Sequence, residues 1–400
     1  MLPDAVMRLF PAEVRDALVA LRRDLHQHPE LSFHEHRTCE RLEAALAAVA
    51  PVRLDRVADT GLVARIRGRD PRAPLVAIRG DIDALPIQEA TGLPFASRTP
   101  NVMHACGHDV HAAWAVGAAH ILARTPAAGD VLVVLQPAEE TGRGAAAVLE
   151  SGALDDVRAI FGGHVDRRFA VGQVVADAGP VAASADVFEI ELTGRGGHGA
   201  RPQEGADSIV GAGALVGALQ TIVSRRLDPA RAAVVTVGAI HAGSAPNVIP
   251  DRAVLQGTVR AVDPDTRQAL HDELRKIAGG VALTYGLSAR VTIDQGPPPI
   301  VNPAGAAAWA RTATVVVLGQ EALVPLGTIN MGGEDFAYYM ERIPGCFLRI
   351  GAREDGAEPI AAHSSRFYAA EESLFVGAAV LAETARVAST ALAAGASRGA

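Results

Sequence analysis

The chain has 400 residues, of which 49% are hydrophobic and 20% charged, with a formal net charge of -8 and a pI near 5.9. That length exceeds what one compact core usually holds, so two domains are expected, and the composition excludes extended disorder. No basic stripe is present, which makes nucleic acid and anionic membrane poor partners.

Residues 11–50 carry helical periodicity, with Pro11 opening one helix and a second over 37–49. Residues 61–66 read as a strand. Residues 75–79 read as a short buried strand of the parallel-sheet kind, ending in Gly80-Asp81-Ile82-Asp83. An Ala-rich helix is expected over 108–122, and a buried strand over 131–135 that runs into Gln136-Pro137-Ala138-Glu139-Glu140. A helix over 144–150 and a strand over 159–164, ending at His164, follow. This alternation predicts an α/β fold with a mostly parallel sheet. The pattern then changes. Strands over 187–192, 232–240, 252–259 and 289–293 alternate with helices over 207–224 and 265–285 in the ferredoxin-like split βαβ order. Gly296-Pro297-Pro298-Pro299 marks the exit, α/β character resumes over 302–387, and 388–400 is expected to fray. The expected organisation is one α/β domain made of residues 1–184 and 297–400, with an α+β domain inserted over 185–296.

Open parallel sheets place their active sites just past the carboxyl ends of strands. Asp81 and Asp83 follow one such strand, Glu139 and Glu140 a second, and His164 a third. Cys106 and His108 in Met103-His104-Ala105-Cys106-Gly107-His108-Asp109, with His363 near the C-terminus, complete a thiolate, imidazole and carboxylate set suited to a transition metal. Two ions can hold a nucleophilic water and a substrate oxygen together, and the free carboxylate of an adjacent Glu pair can move the proton. His26, His28, His34 and His36 read as polar surface, His120 and His271 as solvated mid-helix residues, and His111 and His104 as packing near the site.

Several stretches in order resemble the metal-dependent amidohydrolases of the aminoacylase and carboxypeptidase type, nearest to hippurate hydrolases and hydrolases of indole-acetyl amino acids. They are Arg79-Gly80-Asp81-Ile82-Asp83-Ala84-Leu85-Pro86, the 103–109 motif, Gln136-Pro137-Ala138-Glu139-Glu140, Gly194-Arg195-Gly196-Gly197-His198, Ala245-Pro246-Asn247-Val248-Ile249-Pro250 and Met331-Gly332-Gly333-Glu334-Asp335-Phe336. The resemblance implies two divalent ions (Zn, Mn, Ni or Co) on Cys106, His108, Glu140, His164 and His363, with Cys106 in the bridging place. It implies Glu139 as general base and then acid, Asp83 as the carboxylate orienting a ligand histidine, His198 as oxyanion stabiliser and Asn247 as a substrate contact. Asp81 stands where relatives carry a further histidine and is not counted as a ligand. The inserted domain is expected to act as lid and homodimer interface. Departures occur at Ala361-Ala362-His363-Ser364-Ser365, at Val165-Asp166-Arg167-Arg168 and at Gln203.

The expected activity is hydrolysis of the amide of an N-acyl amino acid or related small amide. A metal- or small-molecule-binding member without catalysis, or a dipeptidase or carboxypeptidase, is the alternative. Cys39 and Cys346 read as small core residues, so the three cysteines make no disulfide framework. Met1-Leu2-Pro3-Asp4 does not open a signal sequence, and no apolar segment reads as long enough to span a bilayer. A cytoplasmic protein fits these features.

Overall fold

The computed structural model of the chain describes residues 4–396. In chain order they form α1 (Asp4–Met7), α2 (Ala12–Gln27), α3 (His36–Ala47), β1 (Arg53–Val57), β2 (Gly61–Ile66), β3 (Leu75–Asp81), α4 (His108–Arg124), β4 (Val131–Gln136), α5 (Gly144–Glu150), β5 (Val157–Ala170) and β6 (Val174–Val175). There follow β7 (Gly179–Ala182), β8 (Asp186–Thr193), β9 (Gly197–His198), α6 (Ser208–Thr221), β10 (Ala233–Ala242), β11 (Val248–Ile249), β12 (Arg252–Ala261), α7 (Pro264–Thr284), β13 (Ser288–Asp294) and β14 (Ile300–Asn302). The last elements are α8 (Ala304–Leu318), α9 (Phe336–Met340), β15 (Gly345–Arg353) and α10 (Glu372–Ala396). These residues divide into two compact units. One holds the chain up to Gly179, Asn302–Thr328 and the chain from Tyr338 on; the other holds Pro180–Val301 and Ile329–Ala337.

The first unit is built on a seven-stranded sheet of order β1-β2-β4-β3-β5-β15-β6. Its centre, β4-β3-β5-β15, is parallel, and the flanking pairs β1–β2, β2–β4 and β15–β6 are antiparallel. The inner strands β3 and β4 are almost wholly buried, which is why they read as unbroken apolar runs. Helix α4 packs on the sheet and against α2 and α10, so it is buried nearly all round and needs no polar stripe. Strand β1, Arg53-Leu54-Asp55-Arg56-Val57, escaped the apolar pattern because it is a sheet edge with exposed charges.

Three expectations are corrected here. Strand β5 does not end at His164 but runs on to Ala170. Its pairing with β3 stops at Phe161, while β15 continues alongside it with Arg349 opposite His164 and Gly351 opposite Asp166. The C-terminal segment does not fray from Ala388: α10 continues to Ala396 with Ala388 and Ser389 buried, and the last four positions of the expected tail lie outside the described residues. Two helices, Ser208–Arg226 and Glu372–Gly395, are in fact long and apolar enough to cross a bilayer by length and composition. The second of these is a core helix, packed on α4 and α8; the first buries one face, with Ala212, Leu215, Leu219 and Ile222 in the core of the second unit.

The second unit has the order β8-α6-β10-β12-α7-β13 along the chain and a four-stranded antiparallel sheet of order β10-β12-β8-β13. Strand β8 alternates buried and less buried residues as a half-covered sheet requires. Asp207 caps α6 by accepting from the Ile209 and Val210 N–H groups, and Asp263 caps α7 ahead of Pro264. His271, expected to be solvated, is buried on the inner face of α7, with Nε2 2.7 Å from Asp186 Oδ2.

Candidate metal centre

The first unit gathers Asp83, Cys106, His108, Glu139, Glu140, His164 and His363 at the ends of β3 and β4, the start of α4, the middle of β5 and the loop before α10. Gly107 makes the turn between Cys106 and His108 possible. Its φ is +90°, and a Cβ there would lie 2.5 Å from Val165 Cγ2. Beyond β4, Ala138 (φ +54°) starts a tight turn whose carbonyl accepts from the Gly144 N–H at 3.1 Å. A Cβ on Gly144 would lie 1.6 Å from the Pro137 oxygen, so the turn that carries Glu139 and Glu140 needs glycine.

Asp83 ties these pieces together. Its Oδ1 is 3.1 Å from His108 Nδ1, while Oδ2 accepts from the Glu140 N–H at 3.0 Å and from Ser32 Oγ at 2.7 Å. One carboxylate therefore orients a histidine and the Glu139-Glu140 turn at once. Burial is the largest single influence and works against the Asp83 charge, but His108, Ser32 and the Glu140 N–H together outweigh it and its pKa lies below the usual value. With Nδ1 committed, His108 presents Nε2 to Glu139 Oε2 and Glu140 Oε1, each at 3.8 Å.

The donor set fits divalent ions. His108 Nε2 is buried and makes no hydrogen bond. His164 gives Nδ1–H to the Val165 carbonyl at 2.7 Å, so Nε2 is left as an acceptor 3.1 Å from Cys106 Sγ. His363 Nε2 lies 3.4 Å from Glu140 Oε2. Donor atoms of Cys106, His108 and His164 lie within 4.8 Å of one another, and so do those of Cys106, Glu140 and His363. The two groups share the thiol. Burial, reinforced by Glu140, pushes the Cys106 thiol up, so a nearby cation is what would make it a thiolate.

Asp81 and His111 form a third group with His108, but they are engaged elsewhere. Asp81 is ion-paired to Arg79, and its Oδ1 lies 2.6 Å from His111 Nδ1. His111 Nε2 accepts from the Val165 N–H at 2.9 Å and its ring stacks on Trp114. Both nitrogens are thus used in holding the backbone next to His164. His198 and Asn247 belong to the second unit, where the ribbon of β9 and β11 sets Val248 opposite His198 and the Gly199 N–H donates to the Asn247 carbonyl at 2.8 Å. His198 Nδ1 accepts from the Ala200 N–H at 3.0 Å, so the ring proton sits on Nε2.

Two supporting residues were not foreseen. Glu35 is buried and accepts from the Ala138 N–H at 2.9 Å and from Thr60 Oγ1 at 2.5 Å, pinning the turn before Glu139. His26, expected on a polar surface, is buried instead. Its Nδ1 lies 2.8 Å from Asp109 Oδ2, to which Arg22 Nε also donates at 2.8 Å. Because α2 packs on α4, the face of α2 that carries Leu18, Leu21 and Leu25 turns inward, and Arg22 and His26 go with it. Their spacing of four beside that apolar stripe was the available signal. His104 is a buried, neutral imidazole whose pKa burial lowers to about 4.

A family model described as Peptidase family M20/M25/M40 matches residues 77–387. The N-acetylcysteine deacetylase of Bacillus subtilis (strain 168) is 41% identical over 377 residues, covering 92% of this chain and 96% of the deacetylase. The IAA-amino acid hydrolase ILR1-like 2 of Arabidopsis thaliana is 38% identical over 379 residues, covering 93% and 85% of the two chains. A crystal structure of the Bacillus subtilis YXEP protein, described as a dinuclear metal binding peptidase, has a TM-score of 0.84 at 38% identity and covers 94% of this chain and 99% of its own.

Proposed function

From the premise that this chain belongs to the M20/M25/M40 peptidase family and is a metal-dependent amidohydrolase using two divalent ions, we propose that it cleaves N-acyl amino acids or closely related small amides. The observation that carries the proposal is the Glu139-Glu140 pair held by Asp83 beside Cys106, His108 and His164. Cys106, His108 and His164 would hold one ion and Cys106, Glu140 and His363 the other. The ions would supply Lewis-acid polarisation of the amide carbonyl and a water of lowered pKa.

The protein's own groups divide the remaining work. Glu140, within 3.4 Å of His363 and 3.8 Å of His108, is the member of the pair that joins both ligand groups. Glu139 is left to take the proton from the attacking water and deliver it to the departing amine. In this reading His198, from its own or the partner subunit, is the residue assigned to the oxyanion, and Asn247 is assigned to the substrate. The protein is a cytoplasmic homodimer in this reading. Free thiols at Cys39, Cys106 and Cys346 support a reducing compartment. The second unit offers a dimer surface in the exposed Ile209 and Val210 of α6 and in β10, a strand at the edge of its sheet.

The test is amine release by the metal-reconstituted enzyme from N-acetyl, N-benzoyl and indole-acetyl amino acids, acetylated diamino acids and dipeptides. Acyl amino acids are expected to turn over fastest. A folded, metal-loaded protein that releases amine only from dipeptides would move the substrate class to peptides.

A further inference from the structure

Arg167 takes no part in the chemistry above, yet its side chain is only 1% exposed and is ringed by acceptors. Nη1 donates to the carbonyls of Ala352 (3.3 Å) and Tyr368 (3.1 Å) and to Glu354 Oε2 (3.0 Å). Nη2 donates to the Glu358 carbonyl at 3.2 Å, and the guanidinium lies over the Tyr368 ring, 4.2 Å from its centroid. These partners bracket the loop of residues 354–368. Ala352 and Glu354 stand at its entry, Glu358 within it and Tyr368 at its exit. Ala352 also sits at the irregularity where the pairing of β15 with β5 shifts, between Gly351 and Arg353. A bulge of this kind re-aims the chain leaving a strand. Arg167 is reached only because β5 runs on past His164.

That loop carries His363. The other proposed ligands hang from strands, a strand-end turn or a helix start. His363 sits on a loop, is 54% exposed, and has φ +65°. Its N–H donates to the Ala105 carbonyl at 2.8 Å, next to Cys106. A non-glycine residue holds such a backbone conformation only when its surroundings over-determine it. The loop's far half is tied by the Ala90 N–H to the Ser365 carbonyl at 2.8 Å and by the buried Phe367. Arg167 ties the near half to the exit.

We propose that Arg167 is a positioning residue for His363: by closing the neck of the 354–368 loop, it holds the imidazole against Glu140 and so sets the affinity of the ion those two residues share with Cys106. The inference rests on the reading of His363 as a ligand. A planar fork that reaches three carbonyls and a carboxylate is a task for arginine and not for lysine. Residues that orient metal ligands typically change affinity by about 10- to 100-fold when removed.

The experiment is titration of the metal-free full-length protein with Co(II), followed by absorption and by chelator competition, for wild type, His363→Ala, Arg167→Gln and the double variant. His363→Ala should weaken one of the two ions. Arg167→Gln should weaken the same ion by about tenfold, leave the other within about twofold, and add little on the His363→Ala background. Equal weakening of both ions, weakening of neither, or full additivity with His363→Ala overturns the positioning role while leaving the ligand reading intact. Unchanged binding of both ions in His363→Ala overturns the ligand reading itself. Arg167→Lys, which keeps the charge and loses the fork, is titrated in the same way and carries the test if Arg167→Gln does not fold. An affinity between those of wild type and His363→Ala is expected, and wild-type affinity overturns the proposal.

Discussion

Among the buried histidine–aspartate pairs, two, His271–Asp186 and His108–Asp83, one from each unit, look alike and do different things. In the second unit Asp186 lies 2.7 Å from His271 Nε2, accepts from Arg267 Nε at 2.9 Å and from the same guanidinium on its other oxygen, and takes the Gly296 N–H at 3.1 Å. The carboxylate is answered by a cation and its polar neighbours are paired. In the first unit Asp83 holds His108 by Nδ1, and Nε2 is aimed at two glutamates. Asp81, Asp83, Glu139 and Glu140 all lie within 3.8 Å of the His108 ring nitrogens, and Arg79 answers Asp81. A buried His–Asp pair therefore does not mark a site. What marks it is the second ring nitrogen, and the negative charge that collects around it for cations to neutralise.

This contrast can be broken by substitution. The largest effect is expected for Glu139→Gln, which should lower kcat by about 10²- to 10⁴-fold with both ions still bound; loss of an ion in parallel with activity would make Glu139 a ligand. Asp186→Asn leaves the Arg267 guanidinium, 13% exposed, beside an uncharged amide. It should destabilise the second unit by about 3–5 kcal/mol in denaturant unfolding, with metal affinity unmoved in the folded protein. Asp83→Asn should do the reverse, weakening ion binding by about 10- to 100-fold in a chelator competition at little cost to the unfolding midpoint of the metal-free chain. If the two asparagine variants behave alike in both assays, the distinction between the pairs is wrong. His34→Ala and His36→Ala, at exposed positions, set the floor: stability should stay within about 0.5 kcal/mol of wild type.

Much of the site was legible along the chain because its residues follow strands in short polar bursts, and a burst after an apolar run has few structural explanations. The turn after β4 and the Cys106-Gly107-His108 step lie where the spacing puts them. His164 was found by its type and placed wrongly, since how far β5 extends depends on β15, some 180 positions later. His26 was read as surface, Arg22 and Glu35 were passed over, and Arg167 stood out only as part of the 165–168 departure. Apart from the spacing of Arg22 and His26 beside the apolar stripe of α2, these residues carry no local sign of being buried, and each is buried by a partner distant in sequence.

Local order along the chain determined the strand and helix succession, the change of pattern after residue 185 and the choice of candidate donors, because backbone periodicity and side-chain chemistry are written residue by residue. Tertiary packing decided which histidines are buried, which nitrogen of each is committed, how far β5 runs and which residues hold the His363 loop. Most of those outcomes depend on pairing and charge balance between segments far apart in sequence, from 25 positions for His108 and Asp83 to 201 for Arg167 and Tyr368, which a short window of sequence does not contain.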